Sequence, residues 1–276
     1  MLCLINSDLS GDYNAKIQKE IVKMRHLMTV CISLIVVSLI FTDVSNAKID
    51  PASIIGVWLF DEGGGDTTRD SSGKGNDGKL VNNPKWVAGK FGKALEFDGK
   101  DDYVEVPDND TLDVTAITLV AWVKSEAKQL VDGNVIVYKK SSYIHQYWAT
   151  TINPGVFVGG QWCGSGWLPQ AIIWDNDWHH VALTYDGSIQ KFYVDGVFKG
   201  DNAACKGKID ITDSSLTIGT GNVGFYTGSI DEVAVFDVAL DEDDFEIIIT
   251  KGLGAVAAVF PIGELTTTWG MIKAQW

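Results

Sequence analysis

From Ile54 to Phe236 the chain alternates short apolar runs with clusters of glycine, asparagine and aspartate, and the runs have a period of two rather than 3.6. In Ile117 to Lys124, the clearest strand, Ile117, Leu119, Ala121 and Val123 share one face while Thr118, Val120, Trp122 and Lys124 share the other. His180 to Asp186 repeats the pattern, with Val181, Leu183 and Tyr185 set against His180, Ala182 and Thr184. Lys191 to Phe198 reads as a hairpin, because Asp195-Gly196 supplies two residues able to take positive φ between apolar-alternating arms. Asp186-Gly187 reads the same way one strand earlier. Further strands are predicted from Ile54 to Phe60, Ala94 to Phe97, Tyr103 to Val106, Val135 to Lys139, Leu216 to Gly219 and Ser229 to Phe236. One short helix is predicted near the C-terminus, from about Asp241 to Thr250, where acidic residues meet the positive end of the helix dipole and Gly252 follows as a stop. The pattern predicts an all-β, two-sheet antiparallel sandwich.

No repeat or low-complexity linker divides Lys48 from about Phe260, so residues 48–260 are expected to form one domain and 261–276 a C-terminal extension. Ahead of it, Lys23 and Arg25 precede an apolar stretch from Thr29 to Phe41 and the small-x-small sequence Ser45-Asn46-Ala47, the layout of a secretory signal over 24–47. An uncleaved anchor is the rival reading; residues 1–23 have no place in such a signal and are expected to be a non-native upstream extension. The predicted product is secreted or held at the cell surface, with no membrane insertion after cleavage.

The net charge is −14, and residues 1–47 contribute equal numbers of acids and bases, so the mature surface stays acidic. Acidic surfaces repel phosphate backbones, which sets aside nucleic acid as a partner and leaves divalent cations and neutral sugars. Only Cys163 and Cys205 lie beyond the predicted signal. Two cysteines in an exported chain allow one pairing, a disulfide between them, against the alternative of two free thiols in loops.

Three blocks then carry a resemblance. The first runs Gly56-Val57-Trp58-Leu59-Phe60-Asp61-Glu62 through Asp70-Ser71-Ser72-Gly73-Lys74-Gly75-Asn76-Asp77-Gly78; the second is Gly92 to Val106, including Phe97-Asp98-Gly99-Lys100-Asp101-Asp102-Tyr103. The third comprises Trp178-His179-His180-Val181-Ala182, Tyr193-Val194-Asp195-Gly196 and Gly228 to Phe236. In this order they resemble the laminin G-like family of the concanavalin A-like jelly rolls. The resemblance implies a jelly-roll sandwich, often with calcium at its rim and with carbohydrate or protein ligands. Fold alone does not fix the ligand.

Calcium takes six to eight oxygen ligands. Candidates are Asp61 with Glu62, Asp98 with Asp101 and Asp102 around a glycine turn, and Asp231 with Glu232. By resemblance, a structural Ca2+ is expected near Asp61 and Asp231, with Asp98 a further ligand. Asp231 weighs most, since it shares strand parity with Val233 and Val235 and an inward carboxylate needs a cation or donors. The alternative is that Asp98 and Asp101 close an Asx turn and the other acids are solvated.

Sugar sites set flat aromatic faces beside amides and carboxylates. Residues 143–178 are dense in both, and the expected ligand-binding set is Trp148, Trp162, Trp167, Trp174 and Gln161, with Trp162 and Trp167 on a glycine-rich loop near the predicted disulfide. Trp178 is assigned to the core by its place in the family block. The alternative folds the loop back with its indoles inside. His179 and His180, adjacent on a strand, face opposite ways and cannot chelate one metal together. The glucanases on this fold carry Glu-x-Asp-x-x-Glu along one strand; Glu96-Phe97-Asp98-Gly99-Lys100-Asp101 departs at the last position and is cut by a turn, so no catalytic residues are assigned. The sequence thus predicts a non-enzymatic, calcium-stabilised module binding carbohydrate or glycoprotein; the alternative is a structural or adhesion domain.

Overall fold

A computed structural model describes residues 19–20, 23–25, 49–125, 134–148, 151–152, 154–164, 168–169, 173–203 and 205–258. Two compact units divide the chain after Lys48. In the first, residues 19–20 and 23–25 are helical; the rest of the predicted signal, like the extension 261–276, lies outside the described residues.

The second unit is the sandwich. Among the described residues its front sheet has eight strands: β1 (Ile54–Trp58), β4 (Lys85–Ala88), β5 (Lys93–Asp98), β7 (Ile117–Lys124), β14 (His179–Tyr185), β15 (Gln190–Val194), β16 (Val197–Asn202) and β20 (Thr227–Phe236). They run in the order β16-β15-β14-β7-β20-β5-β4, and β1 pairs with the later half of β20. The back sheet is built on β2 (Thr67–Thr68), β3 (Gly78–Val81), β6 (Tyr103–Val106), β8 (Asn134–Lys139), β9 (Tyr143–Trp148), β11 (Gly155–Val158), β12 (Gln161–Gly164) and β17 (Leu216–Ile218). Their order is β12-β11-β9-β8-β17-β6-β3-β2, with β10 (Thr151–Ile152) and β13 (Leu168–Pro169) attached beside β9. All these pairings are antiparallel, as the alternation predicts. A two-strand ribbon, β18 (Thr220–Gly221) with β19 (Gly224–Phe225), stands apart.

The β7 alternation sorts its side chains as predicted. Ile117, Leu119, Ala121 and Val123 enter the core between the sheets with Leu95, Phe97, Val181, Leu183 and Val235. Val120 faces the other way, yet it is buried too, because a second apolar layer of Phe245, Ile248 and Leu253 packs on that face. Two helices supply that layer: α1 (Glu242–Lys251) and α2 (Leu253–Ala258). Asp241 caps α1, accepting from the N–H groups of Asp243 and Asp244 while Asp244 accepts from its own. The predicted helix is thus present, and a second one, past Gly252 at φ 77°, joins it.

Two turns separate what local chemistry fixes from what it does not. Asp195 and Gly196 have φ of 52° and 74° and form the expected two-residue hairpin turn. Asp186-Gly187 belongs instead to a four-residue loop, since Tyr185 pairs with Gln190 and the Asp186 carboxylate accepts from Ser188 and Ile189. In the 70–78 block, the buried Asp70 accepts from Val57, Ser72 and Asn76, and the Trp58 indole donates to Asn76. That block is a clasp over β1.

Candidate functional site

Helices α1 and α2 cover only part of the outer face of the front sheet. On the uncovered part, register places Lys85 beside Glu96, Glu96 beside Ser229 and Ser229 beside Lys124. Paired residues in a ladder share a face, so these four side chains form one row across β4, β5, β20 and β7. The row floors a groove of about 590 Å³. Asp98, Asp102, Asn176 and Trp178 line it as well. Gly228 also lines it, at a point where a Cβ would come within 2.3 Å of the Lys124 carbonyl oxygen. Trp178 is therefore not a core residue: it lies half-buried just before β14, belongs to neither apolar cluster, and lines the groove.

The turn carrying Trp178 is fixed by two hydrogen bonds and one left-handed residue. The Asn176 N–H donates to the Ser125 carbonyl, the Asp177 N–H to the Asp175 carboxylate, and Asn176 takes φ 68°, which asparagine tolerates. Behind it, His179 places Nδ1 2.8 Å from Asp195 Oδ2 and Nε2 3.1 Å from Asp175 Oδ1. His179 and His180 point apart, as expected. Burial pushes the His180 imidazole down to about 4, against a weaker opposing pull from Asp195.

The acidic candidates fall into two groups. Asp98, Asp101 and Asp102 bring one oxygen each within 4.8 Å of one another, and this is the one such group among the described residues. Gly99, at φ 75°, turns the chain between them, and a Cβ there would meet Thr227. Asp98 also accepts from the Lys100 N–H, the Asx-turn bond of the alternative reading. That bond holds the Asp98 carboxyl below the usual range, whereas burial and then the charge of Asp98 push Asp102 up. The trio therefore combines an Asx turn with a set of hard oxygen donors, a set that fits a calcium ion.

Asp61 and Asp231 are engaged otherwise. The N–H groups of Lys90 and Phe91 donate to Asp231 Oδ2 at 2.8 and 3.0 Å, and that of Glu232 to its Oδ1. The Lys93 N–H donates to Asp61. A Cβ on Gly89 would fall 2.5 Å from Asp231 and one on Gly92 2.0 Å from Asp61, so both carboxylates grip the same 89–93 turn. Burial first, opposed by the Phe91 amide, pushes the Asp231 carboxyl up to about 7. The parity assumed for Asp231 fails, because a bulge at Asp231 and Glu232, the latter at φ 44°, sets Asp231 opposite Trp122 on the outer face while Val233 enters the core. Glu232 accepts from Leu253 and Gly254 at the start of α2.

The tryptophan candidates disperse. Trp162 lies on β12, an edge strand rather than a loop, 38% exposed with its ring against Phe157. Gln161 is exposed beside it, and Trp174 is buried between the sheets. None of these three lines the groove. Trp167 and the Trp148 side chain lie outside the described residues. Cys163 and Cys205 are joined by a disulfide, with 5.8 Å between their Cα atoms, which ties β12 to the segment after β16. The residues that sequence reasoning missed are Lys85, Lys124 and Ser229. Their signal was strand parity, which marks them as outward-facing but not as neighbours.

Solved structures resemble this chain at the level of fold. Domain 4 of AbnA, an extracellular GH43 arabinanase from Geobacillus stearothermophilus solved with arabinotriose, superposes at TM-score 0.56 with 19% identity, covering 72% of this chain and 98% of that one. The binding domain of Paraclostridial Mosquitocidal Protein 1 gives TM-score 0.57 at 12% identity, over 72% of this chain and 52% of that one. The binding domain of botulinum neurotoxin DC, solved with rat synaptotagmin II, gives 0.57 at 13%, over 75% and 52%. The chain thus spans about half the length of those toxin domains. No curated protein sequence matches it significantly. Among the described residues, no helix is long and apolar enough to cross a membrane. Residues 98–245, more than half of the chain, match the laminin G-type sequence model described as the concanavalin A-like lectin/glucanases superfamily. With its two antiparallel sheets, the chain belongs to that superfamily.

Proposed function

We propose that this chain is an exported, calcium-stabilised binding module without catalytic activity, and that the outer groove of its front sheet takes a carbohydrate. One observation carries the reading: the half-buried Trp178 lines one groove together with Asn176, Ser229, Glu96 and Asp98. A sugar ring needs such a pairing, an aromatic plate for its C–H face and mixed donors and acceptors for its hydroxyls. The arabinotriose bound to the AbnA domain makes arabino-oligosaccharides the first probes. Asp98, Asp101 and Asp102 would hold the Ca2+, which would supply a fixed positive charge at the groove's edge and tie the β5–β6 turn. Export is supported by the amino-terminal signal pattern and by the disulfide.

Glycan arrays seeded with arabino-oligosaccharides, followed by calorimetry, test the site. W178A should weaken binding roughly fivefold without lowering the melting temperature much, since aromatic contacts of this kind are worth about 1 kcal/mol. W162A serves as the control. A loss confined to W162A would move the site to the Gln161–Trp162 hairpin, and an array with no bound glycan would sink the carbohydrate reading. The bound oligosaccharide should be recovered uncleaved.

A further inference from the structure

The His179 geometry bears on the same groove. Both of its ring nitrogens face carboxylate oxygens, Asp195 on the β15–β16 turn and Asp175 on the turn before β14. Only an imidazolium can donate to both. A neutral ring must turn a lone pair toward one carboxylate, which repels it.

We propose that protonated His179 is the positioning residue of the groove: it clamps Asp175, whose turn presents Asn176 and Trp178, so ligand affinity falls when His179 loses its proton. The proposal rests on the groove being the binding site. The chain of contacts is short. His179 fixes the Asp175 carboxylate, the same Asp175 oxygen accepts from the Asp177 N–H, and this turn carries Asn176 and Trp178, which line the groove. On the other side Asp195 is itself anchored, because its second oxygen accepts from the His180 N–H. The groups facing the ring are thus Asp195 from the hairpin and Asp175 from the turn; β7 presents the uncharged Val123 across from it, with Lys124 next along the strand. Burial lowers the His179 proton affinity, but the hydrogen bonds and charges of Asp195 and Asp175 outweigh it and raise it overall. His180 next to it moves the opposite way, so the two histidines are separable in a titration.

The sign follows from the raised affinity. The clamp is complete below the ordinary histidine value of about 6.5 and is lost as pH rises through the higher folded value. NMR of the full chain reads this directly. The His179 ring should titrate above about 6.5, and the Trp178 indole and the Asn176 and Asp177 amides should shift with the same midpoint. In H179Q those three signals should stay still over the same range while the fold is kept. Binding of arabinotriose should weaken roughly three- to fivefold across that midpoint, the scale of a partly exposed ion pair, and H179Q should match wild type at high pH throughout. The proposal is overturned if Trp178 and Asn176 ignore the His179 titration, or if H179Q keeps the wild-type pH profile. Failure of arabinotriose to bind at every pH would count against the sugar reading alone, since the NMR titration decides the clamp without ligand.

Discussion

Two acidic clusters sit on the front sheet, and they use their charge in opposite ways. Asp61, Asp231 and Glu232 spend their oxygens on backbone N–H groups, pinning the 89–93 turn and the start of α2. Asp98, Asp101 and Asp102 gather around a glycine turn at the edge of the groove, where Asp98 and Asp102 each accept one backbone N–H and the three still bring oxygens within 4.8 Å of one another. Both look alike in sequence, as short acidic pairs near strand ends. A buried carboxylate needs compensation, and amide donors provide it as readily as a cation does. The cluster to suspect of metal binding is therefore the one whose carboxylates crowd each other.

The largest effect should come from breaking the first cluster. Asp231→Ala would leave the amides of Lys90, Phe91 and Glu232 without their acceptor at a buried position. Losses of this kind, with partners stranded, cost about 3 kcal/mol. Denaturant unfolding at neutral pH should show it as a lower midpoint with an unchanged slope. Asp101→Ala removes an exposed carboxylate and should leave the midpoint almost where it was. Equal midpoints for the two variants would erase the distinction.

Next in size is a pH effect confined to the first cluster. Burial pushes Asp231 up to about 7 even though three amides donate to it. Between the ordinary aspartate range and about pH 7 the folded chain thus holds a proton that the unfolded chain has released. Stability from this group is greatest in acid and declines as pH rises across that window. At about 1.4 kcal/mol per unit, the difference between wild type and Asp231→Asn should change by on the order of a few kcal/mol across that window. Parallel stability profiles for the two proteins would contradict the assignment.

The fold was legible where a signal is local. Eight alternating residues fixed both faces of β7, Asp195-Gly196 fixed a hairpin, and Asp241 with Asp244 fixed the start of α1. The groove was not legible, because its floor comes from β4, β5, β7 and β20, and only the register of four strands brings Lys85, Glu96, Ser229 and Lys124 into line. Parity counting failed at Asp231 for a related reason: a bulge adds one residue and reverses which face every later side chain takes. Trp178 was misplaced because membership of a family block says that a residue recurs, not whether it faces the core or the solvent. The 70–78 block, by contrast, is explained by the bonds of Asp70 and Asn76 to β1 and needs no ligand.

The smallest effect is the one that assigns the second cluster a role. With Ca2+ at about ten times its dissociation constant, mass action stabilises a one-site protein by about 1.4 kcal/mol. For a domain of this size that raises the melting temperature by roughly 4 °C. Differential scanning calorimetry with Ca2+ and then with chelator should show the rise and its reversal in wild type. The Asp98→Asn, Asp101→Asn double variant should lose the response, since two of the three crowded carboxylates then carry no charge. Asp61→Asn should keep it, because Asp61 serves the Lys93 amide on the 89–93 turn. A response that survives in the double variant and disappears in Asp61→Asn would exchange the roles of the two clusters, placing the ion with Asp61 and Asp231 and leaving the Asp98 turn as an Asx turn alone.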